Sequence, residues 1–327
     1  MTRTGFVHQA LCYGSDQEFL TGTADFLRDG LDAGDVVLAV LSGHHIALLT
    51  EELGSKARDV EFADSRDWYD YPSRTLGRYH AYCRRQDKGR RVRVVGEPVW
   101  TGRTEFETQE WMRYESLVNV AFAASDHWLL CPYDTRTLTA NVLATARRTH
   151  PELALGARSS EPSGDYADPA DFSAQVTAER RPDPLPAGPD DIRFCRGRSA
   201  AVRRALAGYA RRHGMSAQRT YDMVAAVHEA VVNAVRYGGG QGVVRLRSDP
   251  EHLVCEIRDA GAHASVPRPG FPGHLPPDAR AAGGHGLWLV RQLSDLVAED
   301  LDPAGSVLRL YFRRSGAVQP AAGSVNS

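Results

Sequence analysis

Three short stretches near the end of the chain limit its folding most, because they are useful together only if the chain returns on itself. They are His228-Glu229-Ala230-Val231-Val232-Asn233-Ala234, then Asp259-Ala260-Gly261, then Gly284-His285-Gly286-Leu287. Each is weak alone, and their order gives them weight. The run from Ser216 to about Tyr237 reads as a helix. Ser216 caps its start, Val224, Val227, Val231, Ala234 and Val235 give it one apolar face, and Gly238, Gly239 and Gly240 end it. Glu229 and Asn233, four apart, stack on one side of that helix, with Arg236 nearby. An amide oxygen can ligate Mg²⁺, and a carboxylate can orient or deprotonate an incoming hydroxyl. Alone, the pair also reads as a solvated helix face.

Two strands follow, Val243 to Arg247 and Leu253 to Arg258, joined through Asp249-Pro250. Asp259 stands where the second strand ends. A carboxylate there can accept a hydrogen bond from the exocyclic amine of adenine, and Gly261 lets the backbone approach the ring. Residues 262–283 are rich in Gly, Pro and Ala without an apolar period, and read as a long mobile loop. The loop leads into Gly284-His285-Gly286 and the helical pattern Leu287, Leu289, Val290, Leu293. Glycines that open a helix leave free N–H groups and the positive dipole end where phosphates dock. An acid, a metal ligand, an adenine reader and a phosphate cradle thus follow in order, and the expected ligand is ATP with Mg²⁺.

The segment from about Asp191 to Arg314 resembles the GHKL ATPase superfamily, which includes histidine-kinase catalytic domains, gyrases and bacterial anti-sigma-factor serine kinases. Glu229 and Asn233 match its N-box, Asp259 and Gly261 its adenine motif, and Gly284 and Gly286, with Leu287 after them, its second glycine box. Gly305-Ser306, opening a strand from Val307 to Phe312, matches the position where the family often carries a Thr near adenine. The resemblance implies a two-layer α/β sandwich with ATP held between the N-box helix and a lid. It assigns Glu229 as catalytic base, Asn233 as the Mg²⁺ ligand, and Arg236, Asp259, Gly261, Gly284, Gly286, Leu287 and Ser306 to nucleotide binding. Two positions depart from the pattern: His263 replaces the second Gly of Asp-x-Gly-x-Gly, and Arg236 stands where many relatives carry Lys.

No phosphoacceptor His on a dimerising helix precedes this segment, and no transducer domain follows it before Ser327. What remains resembles the anti-sigma-factor serine kinases, especially through Gly286-Leu287-Trp288-Leu289-Val290-Arg291-Gln292-Leu293. That resemblance implies a sigma factor or a STAS-type antagonist as partner, controlled by binding or by phosphorylation on Ser or Thr. The alternatives are an anti-sigma binding module that ATP only stabilises, and an orphan histidine-kinase-like sensor lacking its phosphoacceptor.

The 327 residues leave room for two domains. The expected division is a sensory domain at 1–150, a linker at 151–190, the ATPase-like domain at 191–315 and a disordered tail at 316–327. Net charge is −2, which gives no global pull toward nucleic acid or anionic membranes. Arg203, Arg204, Arg211, Arg212 and Arg219 make one local basic face. No signal peptide and no membrane-spanning run is visible, and five scattered cysteines suggest no disulfide framework, so a reduced cytoplasm is expected. A homodimer is left open.

Within 1–150, strands are expected at Phe6–Tyr13, Val36–Leu41, Val60–Ala63, Val92–Val95 and Trp128–Cys131, with helical patterns between them. This alternation predicts a mostly parallel sheet with helices on both faces. No phosphate loop follows the first strand. This half is similar to the MEDS sensory family through His8, Cys12-Tyr13, Tyr114-Glu115, Cys131-Pro132-Tyr133-Asp134 and His150-Pro151. The resemblance implies a RecA-like fold without the phosphate loop and a small-molecule signal. Tyr13, Glu97, Trp100, Tyr133 and Asp134 are the pocket candidates. His8, Cys12, His80, Cys83 and Cys131 could converge on a metal, but cysteine on strands is more often inert packing.

Overall fold

The computed structural model describes residues 4–86, 89–179, 182–261, 271–277, 284–302 and 305–314. Of the expected loop at 262–283 only 271–277 is therefore described; His263, Gly283 and the expected tail at 316–327 lie outside the described residues. The chain divides into two units, Met1–Phe172 and Ser173–Ser327.

The first unit holds β1 (Val7–Tyr13), α1 (Asp16–Asp32), β2 (Val36–Leu41), α2 (Gly43–Leu53), β3 (Glu61–Asp64), α3 (Ser65–Trp68), α4 (Pro72–Gln86), β4 (Val92–Gly96), α5 (Glu105–Ala121), β5 (Trp128–Asp134) and α6 (Ala140–Thr149). Two short strands follow, β6 (Glu152–Ala154) and β7 (Ser160–Pro162). The sheet runs β3-β2-β4-β5-β1-β6-β7, and every pairing is parallel except the last. β4 is buried throughout, as a sheet covered by helices on both faces requires. Side-chain caps start the helices: Ser15, Ser42 and Thr139 each accept from a backbone N–H, and Thr104 with Glu107 closes a capping box. The fold class is the expected mostly parallel α/β. Residues 152–162, read from sequence as linker, instead add two strands to this sheet. At three residues each, they are too short to show an alternation.

A helix, α7 (Pro169–Glu179), lies within the stretch read from sequence as linker. The second unit then contains β8 (Ile192–Cys195), α8 (Ser199–Arg212), α9 (Ala217–Tyr237), β9 (Gln241–Ser248), β10 (His252–Asp259), α10 (His285–Leu293), β11 (Leu296–Asp302) and β12 (Gly305–Arg313). Its sheet, β11-β12-β10-β9-β8, is antiparallel throughout. Leu253, Cys255 and Ile257 of β10 face Met223, Val227, Val231 and Val290 of the helices in one core, so the unit is a two-layer α/β sandwich. The alternation leaves Glu256 on the opposite face.

That opposite face is not bare. Glu256 is fully buried because residues 183–188 lie across the sheet as a strap. Its two carboxylate oxygens accept from Leu185 N at 3.2 and 3.1 Å, and Arg309 Nη2 donates to it at 2.6 Å. Arg245 donates to Leu185 O, Arg247 to Pro186 O and Arg309 to Asp183 O. The basic face read on the helices is partly neutralised as well: Arg212 pairs with Asp190, and Arg219 with Asp222 and Asp295.

Candidate functional site

Helix α9 carries two knots of contacts. In the first, Glu229 and Asn233 face the opening turn of α10. A Cβ placed on Gly286 would stand 3.2 Å from Glu229 Oε2 and 3.3 Å from Asn233 Nδ2. Only hydrogen at that position leaves the acid, the amide and the start of α10 their present spacing. Gly284, the residue before the helix, has φ +89° with open space around it, and no side chain caps the turn. The first N–H groups of α10 are thus left without a side-chain cap.

The second knot sits where α9 ends. Asp259 Oδ1 accepts from Gly261 N at 2.9 Å and from Ser306 N at 3.2 Å. Burial raises the Asp259 carboxyl above its ordinary range, and these two N–H donors oppose the rise. Its other oxygen packs on Gly238, where an added Cβ would fall 2.5 Å away. Gly239, at φ +85°, has room for no side chain either, since a Cβ would meet Gly261 O at 2.6 Å. Gly239→Ala is therefore expected to destabilise this unit by about 1–3 kcal/mol, the usual strain of a left-handed non-glycine residue. Urea unfolding of the full chain would read it as a lower midpoint. Gly238 and Gly239 entered the sequence reading only as the end of a helix; their closeness to Asp259 and Gly261 had no local signal.

Two other expected residues stand differently. Leu287 packs its side chain against the core and its backbone against Gly273, so only its N–H remains to meet a ligand. Arg236 is exposed on the last turn of α9, one turn past Asn233. The described part of the expected loop is tied down: Arg291 Nε donates to Pro272 O at 3.0 Å and its guanidinium pairs with buried Glu299.

In the first unit the carboxyl ends of the parallel strands gather polar groups, as such folds do. Tyr13 donates to Glu97 Oε1 at 3.4 Å; Ser42 N donates to Glu97 Oε2 at 2.9 Å, and His45 Nδ1 lies 2.9 Å from that oxygen. Asp134 is held by Arg136 at 2.8 Å, and Arg136 also reaches Asp16 at 3.1 Å. Tyr13, Glu97 and Asp134 thus come together. Tyr133, one residue before Asp134, points to the other side of the sheet with a buried hydroxyl, and Trp100 lies against it with ring centroids 6.3 Å apart. A cleft of about 1190 Å³ opens at the opposite, amino-terminal ends of β2, β4 and β5, beside Asp35, Arg91 and His127. It is far from the strand-end cluster, and the polar chemistry favours the cluster.

Of the expected metal candidates, His8 and Cys131 meet in the interior, but their companions are Glu115 and His150. Cys12 is exposed, and burial pushes the Cys83 thiol up to about 12, as inert packing would. Burial brings His8 down to about 4 and raises Glu115 to about 8. Among the described residues no helix is long and apolar enough to cross a membrane.

Residues 7–151 match the family described as MEDS, the MEthanogen/methylotroph, DcmR Sensory domain. Residues 196–312 match the family described as Histidine kinase-like ATPase domain, whose members bind ATP, usually with Mg²⁺. No curated protein matches the chain by sequence. Solved structures similar to part of the chain include the SiaB-SiaC complex from Pseudomonas aeruginosa, at 15% identity over 43% of this chain and 95% of that one, TM-score 0.29. Another is the RsbU and RsbW domains of Rv1364c from Mycobacterium tuberculosis, at 17% identity over 45% and 42%, TM-score 0.27. A third is the histidine kinase AdeS of Acinetobacter baumannii, at 10% identity over 45% and 76%, TM-score 0.24. The chain joins a MEDS domain to a histidine kinase-like ATPase domain.

Proposed function

We propose that the chain is an ATP-binding regulator whose C-terminal unit controls a partner protein, a sigma factor or its STAS-type antagonist, by binding or phosphorylating it. The observation that carries this reading is the meeting of Glu229, Asn233 and Gly286 at the uncapped start of α10. Gly238 lies five residues past Asn233 and nine past Glu229, so at the helical rise the two knots are about 7–14 Å apart along α9, which suits a nucleotide with its base at one end and phosphates at the other. The residues fit the ligand. Asn233 offers an amide oxygen for Mg²⁺, and the Gly284 to Leu287 N–H groups a positive cradle. Asp259, Gly261 and the Ser306 region form the adenine end, and Arg236 supplies positive charge beyond Asn233. ATP, when bound, supplies a transferable phosphoryl group. In this reading Glu229 takes the proton of a partner's Ser or Thr hydroxyl, a task of positioning more than of covalent chemistry. The N-terminal unit supplies the signal, through a small molecule at the strand-end cluster around Tyr13 and Glu97.

Thermal-shift titration with Mg²⁺ and ATP tests the shared claim. Wild type should gain about 2.7 kcal/mol when free ATP stands at a hundred times its dissociation constant. Asn233→Ala should lose most of that gain, and an equal shift in both proteins would refute the assignment. Labelled ATP added with a co-purified partner then tests transfer: label on Ser or Thr supports the kinase, and bound ATP without label leaves control by binding alone.

A further inference from the structure

We propose that His8, Glu115, Cys131 and His150 form a site for one divalent transition-metal ion inside the N-terminal unit. The four residues come from β1, α5, β5 and the turn after α6, and all four are buried. Their ligand atoms all lie within 4.8 Å of one another. His8 Nε2 stands 3.5 Å from Cys131 Sγ and 3.8 Å from Glu115 Oε2, and His150 Nε2 stands 3.5 Å from Glu115 Oε2. Ligand atoms on a tetrahedral metal with bonds of about 2.0–2.3 Å are separated by about 3.3–3.8 Å. These donors need little movement to close on an ion.

The orientation of both imidazoles is fixed from outside. Asn119 Nδ2 donates to Thr149 O at 2.7 Å and Ser116 O at 3.2 Å, which turns its Oδ1 toward His8 Nδ1 at 3.0 Å. An amide oxygen only accepts, so His8 carries its proton on Nδ1. Ala146 O does the same for His150 Nδ1 at 2.8 Å. Both Nε2 lone pairs therefore point into the cluster, the arrangement that metal-bound histidines receive from their outer partners. The ring centroids are only 3.9 Å apart.

This arrangement is costly without a cation. His150 Nε2 is buried with no hydrogen-bond partner, and the Glu115 carboxylate, also buried, meets only the Cys131 thiol and the Tyr133 hydroxyl. A dication would satisfy all of them at once. Binding releases the Cys131 thiol proton and, where it is present, the Glu115 carboxyl proton to solvent. The thiolate and carboxylate then balance the two positive charges, and the buried complex is neutral. Two imidazoles and a thiolate favour zinc or ferrous iron over magnesium or calcium. The site is independent of the nucleotide reading, since it lies in the other unit.

The test uses the full chain, purified without chelators from medium supplemented with zinc and iron, and its bound metals are measured by elemental analysis. About one transition-metal ion per chain is expected. Metal-free protein given Co²⁺ should then show a thiolate-to-cobalt charge-transfer band. Cys131→Ser should lose that band and Cys83→Ser should keep it. Asn119→Ala, which retains all four ligands, should bind Co²⁺ about 10- to 100-fold more weakly. A wild-type chain that carries no transition metal and develops no band with Co²⁺ would overturn the proposal, as would a band that survives Cys131→Ser.

Discussion

Gly286→Val is expected to abolish the stabilisation by Mg²⁺ and ATP while leaving the fold in place. The effect is steric and local. Gly286 lies in the first turn of α10 with ordinary helical backbone, so a side chain introduces no backbone strain there. Its Cβ alone would press on Glu229 and Asn233 at 3.2 and 3.3 Å, and the two further methyl groups of valine would push both aside or fill the space between them. The apolar contacts of α10, through Leu287, Val290 and Leu293, do not involve that position. The unliganded melting temperature should therefore change little. The nucleotide-linked gain, about 2.7 kcal/mol at a hundredfold excess over the dissociation constant, should vanish. A thermal-shift titration that gives Gly286→Val the wild-type gain would remove the triphosphate from this corner. Gly286→Ala should fall between the two.

Glu256→Ala should produce the largest loss of stability in the second unit. Removing one partner of a buried ion pair costs about 3–5 kcal/mol, because the other charge stays behind without compensation. Here Arg309 would lose its 2.6 Å contact, and Leu185 N its acceptor. The check is urea unfolding of the full chain, following the transition that ATP shifts, together with amide exchange at Leu185. Exchange there should accelerate as the strap loosens. A loss below about 1 kcal/mol would mean that the strap is held by its arginine-to-carbonyl bonds alone.

Much of the architecture was readable because long elements carry a period. The apolar stripe Val227, Val231, Ala234 defined α9 to within a residue, and the alternation of Leu253, Cys255 and Ile257 defined β10. Elements that depend on their neighbours left no such trace. β6, β7 and β8 have three or four residues each and lie in polar, proline-containing sequence. The strap at 183–188 reads as a linker because its bonds use its own backbone carbonyls and the Leu185 N–H, groups that nearly every residue type supplies. The order of Glu229, Asn233, Asp259 and Gly286 was legible. The space that Gly238 keeps for Asp259 was not, since the two are 21 positions apart and a glycine does not name what packs on it. In the first unit His8 and Cys131 drew notice as residue types. Glu115 lies on a helix whose residues 110–118 are all buried, a setting that polar letters conceal.

The strap has a further consequence for β10. Glu256 lies three residues before Asp259, about 10 Å along the strand. The strand's inner surface is anchored by the helices, and its outer surface by backbone that precedes the sandwich in sequence. Tension on residues 183–188 would thus be borne by the same strand that presents Asp259, and displacing them would uncover Glu256 and take away its Leu185 N–H donor. Position of the tether and alignment of the strand are in that sense a single mechanical variable.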